Sequence, residues 1–168
     1  MLPAVDLRAK NRGERCGENR ELLMPTVADL LAVKGSKIHS ISPSATVLQA
    51  VRRMIQHQIG ALVVMREGCM VGMFTERDVL RRVMAKRRLP EEITVGQVMT
   101  TELICCLPHT DVEEASGIMQ RRRIRHLPVR DAGGNLHGLI SIGDLNAFYA
   151  HVQKKTVEHL TEYIYGRA

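Results

Sequence analysis

Residues 38–80 read IHSISPSATVLQAVRRMIQHQIGALVVMREGCMVGMFTERDVL, and residues 103–145 read LICCLPHTDVEEASGIMQRRRIRHLPVRDAGGNLHGLISIGDL. These are two copies of one unit. Pro43 matches Pro108, Ala50 matches Ala115, Met54 matches Met119, Ile59 matches Ile124 and Leu62 matches Leu127. After one extra residue in a turn, Gly72 matches Gly138 and Asp78 matches Asp144. A lead-in recurs too, as VADLL from Val27 and VGQVM from Val95. A duplicated supersecondary unit buries its apolar face only against a neighbour, so the two copies are expected to pack together.

Each copy decodes as βαββα. A first strand, Ile38–Ile41 or Leu103–Cys106, stops near a proline, which cannot donate to a ladder. Thr46 with Gln49, and Asp111 with Glu114, carry the spacing of a helix start, where side chains satisfy orphan backbone donors. Val47, Ala50, Val51 and Met54 follow at helical spacing, as do Val112, Ala115, Ile118 and Met119. Strands are expected at Ala61–Met65 or His126–Val129, then, past a turn, at a run ending Met73-Phe74 or Leu139-Ile140. A last helix starts at Thr75 or Ser141.

The expected fold is therefore α/β (α+β): two pseudo-twofold-related units with small mixed sheets, one shared core and two equivalent clefts. Residues 25–88 form the first repeat and 89–148 the second, with 82–92 (RVMAKRRLPEE) as linker. Residues 1–24 read as a flexible extension. Residues 149–168 read as a helical tail, and Phe148, Val152, Leu160 and Ile164 supply the packing face of the segment beyond Asp144.

Composition narrows the function. A chain of 168 residues with 45% hydrophobic content supports one packed domain. Aromatic residues make up 3% and tryptophan is absent, which argues against stacking platforms for single-stranded nucleic acid. The net charge of +6 suits a phosphate-bearing small molecule as well as a polyanion, so it does not choose between them. No apolar run is long enough for a membrane span, and the N-terminal residues are broken by charges. Four cysteines without CxxC spacing (Cys16, Cys69, Cys105, Cys106) suggest a reducing cytoplasm, with one of Cys105-Cys106 turned into the core. No histidine spacing resembles a metal site, and no nucleophile–base pair of an enzyme is recognisable.

The sharpest local signal is Gly-x-x-[Thr/Ser]-x-x-Asp, present as GMFTERD and GLISIGD. Helix capping alone explains a hydroxyl followed three residues later by a carboxylate. The same corner also offers free amides, a hydroxyl and a carboxylate to a sugar phosphate, the carboxylate taking vicinal ribose hydroxyls. Its recurrence at one place in both copies favours the second use.

The unit, GMFTERDVL, RHLPV and GLISIGDL together resemble the cystathionine-β-synthase (CBS) domain family, which occurs as tandem pairs called Bateman modules. The resemblance covers about residues 27–147. It implies a non-catalytic regulatory module holding an adenosine ligand (AMP first, or ATP, ADP, NAD or S-adenosylmethionine) between the repeats. It assigns Thr75 and Ser141, with the adjoining Ile142, to phosphate or ribose, and Asp78 and Asp144 to ribose hydroxyls. Arg125 and His126 fall on the phosphate side, and Leu127-Pro128 along the adenine edge. The first repeat departs from the pattern, with Gly60-Ala61 where the second has Arg125-His126. The clefts should therefore differ, with Arg77 as a compensating cation and Lys37, ahead of Ile38, as another. The resemblance also implies a homodimer and a separate effector protein. Two alternatives stay open: a nucleic-acid-binding module using Arg121–Arg125, and a purely structural interaction module.

Overall fold

Helix boundaries follow the capping chemistry. In a computed structural model, which describes residues 24–166, the chain runs α1 (Val27–Lys34), β1 (Ser40–Ile41), α2 (Val47–His57), β2 (Ala61–Arg66) and β3 (Cys69–Thr75). A short α3 (Glu76–Asp78) continues as a π-helical segment (Val79–Val83) and a 3₁₀ turn (Met84–Lys86). The second copy follows as α4 (Val95–Val98), α5 (Val112–Arg122), β4 (His126–Arg130), β5 (Leu136–Ser141) and α6 (Ile142–Tyr165). The extension read at residues 1–24 lies, save Met24, outside the described residues. Helix persists to Lys86, so the connection read as 82–92 is shorter than expected.

Thr46 caps α2 as expected: its hydroxyl accepts from Gln49 N at 3.2 Å, and Gln49 Oε1 accepts from Thr46 N at 2.9 Å. Thr26 with Asp29 and Thr94 with Gln97 form the same box at the two lead-in helices. Asp111 sits at the expected N-cap of α5 but makes no capping bond with its side chain. Helices α2 and α5 both end on a left-handed residue, Gln58 at φ 52° and Arg123 at φ 53°, so the repeat is reproduced at its C-caps though not at its N-caps.

The first repeat holds a mixed sheet in the order β1-β2-β3, with β1 parallel and β3 antiparallel to β2. In the second, β4 and β5 pair antiparallel, and the strand expected at Leu103–Cys106 shrinks to one parallel bridge, Cys106 to Val129. Its mate β1 is likewise shorter than Ile38–Ile41, at two residues. Each hairpin is bulged at the same place, after Val64 and after Val129.

Two apolar cores form, not the single one expected. One gathers Ile41, Val47, Ala50, Met54, Leu62, Val64, Phe74 and Val83 with Val95 and Val98 of α4. The other gathers Cys106, Val112, Ala115, Met119, Leu127, Val129, Ile140, Leu145 and Phe148 with Val27 and Leu30 of α1. The lead-in helices are thus exchanged: each completes the core of the other repeat. Backbone bonds repeat the exchange in register. Val27 N donates to Thr110 O and Val112 N to Pro25 O, both at 2.8 Å. Val95 N donates to Ala45 O at 2.8 Å and Val47 N to Ile93 O at 2.9 Å.

The tail is one continuous helix, with Phe148 buried as expected, whereas Val152, expected on the packing face, is exposed. The side chains of Leu160 and Ile164 lie outside the described residues.

Candidate functional site between the repeats

Both Gly-x-x-[Thr/Ser]-x-x-Asp corners close on themselves. Asp78 Oδ2 accepts from Thr75 N at 2.9 Å and from Thr75 Oγ1 at 2.8 Å. Asp144 Oδ2 accepts from Ser141 N and Ser141 Oγ, each at 2.7 Å. Each carboxylate therefore caps its own helix start, the simpler of the two uses the sequence allows.

Beyond the cap the corners differ. Asp78 is buried at 7% exposure; its Oδ1 accepts from Thr100 Oγ1 at 3.2 Å and lies 3.5 Å from the Arg82 guanidinium. Arg82 also donates to the carbonyls of Val98 and Met99, tying this corner to the end of α4. Asp144 instead accepts from Lys34 Nζ at 2.6 Å. Burial alone would raise the Asp144 carboxyl; hydrogen bonds from Lys34 and Ser141 outweigh it and hold the group below its ordinary value.

A cleft of about 140 Å³ opens beside Asp78, lined from both repeats. Thr75, Arg77 and Asp78 come from the first; Arg125, His126 and Pro128 come from the second. The exchange of lead-ins brings the segment after α4 into the same space, adding Thr100, Glu102, Leu103 and Ile104. The Asp78 corner therefore shares one opening with Arg125 and His126 of the other repeat. Arg77 reaches across and donates to Arg123 O at 2.6 Å. Arg125 lies 3.4 Å from Glu76, an exposed pair that contributes little. The His126 imidazole is held below its ordinary value by burial and by neighbouring Arg125.

The remaining nominated residues lie elsewhere. Leu127 is fully buried in the second core, and Ala61 is buried in β2. Gly60 lines a different, apolar groove with Ile55 and Leu80; a Cβ there would lie 3.1 Å from Glu76. Lys37 is exposed and Ile38 half-buried ahead of β1, and Ser141, Ile142 and Asp144 are outside the Asp78 cleft. Sequence reasoning missed Met73, Thr100, Glu102, Leu103, Ile104 and Ile124 as lining residues. One signal was available: Glu102, Leu103 and Ile124 are the repeat mates of Lys37, Ile38 and Ile59.

A family model for the CBS domain matches residues 27–85 and again 95–151. The chain belongs to the CBS-domain family. This CBS pair is 36% identical over 151 residues to the CBS domain-containing protein CBSX3, mitochondrial, of Arabidopsis thaliana, spanning 84% of this chain and 72% of that one. It is also similar to a solved protein with CBS domains from Burkholderia ambifaria, with a TM-score of 0.69 and 36% identity over 72% of this chain and 90% of that one. At 23% identity, CBSX2, solved in complex with AMP, shares the fold, with a TM-score of 0.62 over 76% of this chain and 98% of that one.

Other candidates in the CBS pair resolve structurally. Arg121 and Arg122 occupy the last turn of α5, where cations meet the negative end of a helix dipole. Cys106 is the inward member of the cysteine pair; burial and the neighbouring Cys105 push its thiol up to about 12. Among the described residues, no cluster of three potential metal ligands occurs and no helix is long and apolar enough to cross a membrane.

Proposed function

We propose that this CBS pair is a non-catalytic sensor that binds an adenine nucleotide, AMP first among them, in the cleft beside Asp78. The carrying observation is the meeting of Thr75 and Asp78 from one repeat with Arg125 and His126 from the other around one opening. On this reading the ribose hydroxyls exchange with Thr100 at Asp78 Oδ1, and Arg125 takes a phosphate. The base lies against the apolar edges of Met73, Ile104 and Pro128. The AMP complex of CBSX2 supports the ligand class. The cavity, about 140 Å³, is below the ~300–1,000 Å³ usual for small-molecule sites. The phosphate therefore projects past the mouth, and the loose Arg125–Glu76 pair opens to admit it. ATP, ADP, NAD and S-adenosylmethionine are the competing ligands.

Because the cleft walls come from both repeats, a ligand that prefers one arrangement of the repeats shifts their packing by its differential affinity. The output passes through a homodimer to a separate effector protein. Exposed Ile55, Leu80 and Met84 support a second copy as the occupant of their face. Unpaired Cys69, Cys105 and Cys106 fit a reducing compartment such as the cytoplasm.

Calorimetry of the full chain against the five nucleotides tests the reading. AMP should bind, Asp78→Asn and Arg125→Ala should each weaken it about tenfold or more, and binding should respond mildly to salt. No heat from any of the five, or a steep collapse of binding with salt, would reject it.

A further inference from the structure

We infer that Lys34 is a built-in occupant of the Asp144 corner, so that each chain takes up one nucleotide, beside Asp78, instead of two. The inference rests on the nucleotide reading and concerns the part of it that the repeat pattern obscures: two matching corners need not make two sites.

At the first corner, Thr100 pairs with Met73 through its backbone, Met73 N to Thr100 O at 2.9 Å and Thr100 N to Met73 O at 2.8 Å. Its hydroxyl then reaches Asp78 Oδ1. At the second corner the mate of Met73 is Leu139, and its carbonyl is met by Lys34 Nζ at 2.7 Å. The same ammonium lies 2.6 Å from Asp144 Oδ2. One lysine therefore bridges the carbonyl and the carboxylate that Thr100 bridges at the first corner, but on the capping oxygen Oδ2, where Thr100 meets Oδ1.

The cause is in the chain. Val27 precedes Pro43 by 16 residues, whereas Val95 precedes Pro108 by 13. The longer spacing lets α1 run eight residues where α4 runs four, and the extra turn delivers Lys34 to the corner. Gly35, at φ 90°, then ends the helix.

The chemistry of the two corners differs accordingly. A ribose hydroxyl arriving at Asp78 Oδ1 exchanges with the neutral Thr100 hydroxyl, while the Arg82 guanidinium stands off at 3.5 Å, beyond hydrogen-bond contact. A hydroxyl arriving at Asp144 must compete for a carboxylate already neutralised by an ammonium bound at 2.6 Å to Oδ2, and charge-assisted bonds are roughly twice as strong as neutral ones. The Lys34 and Asp144 side chains are 31% and 20% exposed, so water only partly screens the pair. The displaced ammonium would also lose the Leu139 carbonyl.

Titration calorimetry of the full chain with AMP decides the matter. The native protein should bind one AMP per chain. Lys34→Thr, which removes the ammonium, should bind a second, with affinity at that corner raised at least about tenfold. Thr100→Lys should weaken AMP at the first corner by a similar factor. Two AMP per native chain overturns the inference whether or not either variant folds. One AMP per chain in a folded Lys34→Thr, shown by an unaltered melting curve, overturns it as well. Both results leave nucleotide binding standing. Absence of AMP binding in all three proteins removes the nucleotide reading and this inference together.

Discussion

Leu31, on the helix that opens the first repeat, lies directly over Gly138 of the second: a Cβ at position 138 would come within 2.8 Å of Leu31 Cδ2. The mate of that contact is tighter. A Cβ at Gly72 would lie 2.7 Å from Met99 Sδ and 2.9 Å from the Thr100 carbonyl oxygen. The duplicated glycine is thus the footprint of the lead-in helix arriving from the other repeat. Gly72→Ala should destabilise by about 1–3 kcal/mol, since a backbone carbonyl cannot swing aside. Gly138→Ala should cost less, because only the end of a leucine must move. Chemical denaturation measures both; equal costs would contradict this account.

The exchange of lead-ins makes a positional prediction. Leu30 is 1% exposed and belongs to the second core. Leu30→Ala should cost about 2–5 kcal/mol. Hydrogen exchange should then show protection lost mainly in β4 and β5, far along the chain from the substitution. Loss confined to β2 and β3 would mean that α1 packs on its own repeat.

His126 gives a pH dependence with a definite sign. Its folded value lies below the ordinary 6.5, through burial and then Arg125, with Glu76 and Asp144 partly opposing. The unfolded chain therefore binds a proton at a pH where the folded chain resists it. Stability is fully present above about pH 6.5 and is lost as pH falls through the depressed folded value. His39 is shifted in the same direction. Comparing the drop in Tm from pH 7.5 to 5.5 in native protein and in His126→Gln isolates one group; the drop should be smaller in the variant. Identical drops would show that His126 is not held neutral.

Ile55 and Leu80 are 71% and 64% exposed and line one apolar groove with Val51 and Val79. If a second copy covers this face, Leu80→Glu should shift the protein from dimer to monomer in sedimentation velocity while leaving Tm of the monomer nearly unaltered. A native protein that is already monomeric at high concentration would remove the dimer from the proposal.

Most of each unit was legible residue by residue. Val47, Ala50 and Met54 recur at helical spacing and are buried on one face of α2, as Val112, Ala115 and Met119 are on α5. Thr46 capped as its spacing with Gln49 demands, because a capping box needs only residues three apart. Asp111 did not, although its spacing with Glu114 has the same form. The first strands were overlong in the reading, since Ile38 and Leu103 carry apolar side chains without ladder partners along their length.

The amino-acid order by itself determined the duplication, the βαββα grammar, the core-facing stripes and the two hydroxyl–carboxylate corners, all of which depend on spacings within one turn or one strand. Tertiary structure alone decided that the lead-ins cross over, that Asp78 shares a cleft with Arg125 and His126, and that Lys34 settles on Asp144. VADLL and VGQVM are near-equivalent apolar stripes that either core can accept at the level of pattern. Which core receives which is set by chain reach and steric fit at Gly72 and Gly138, across distances that periodicity does not encode.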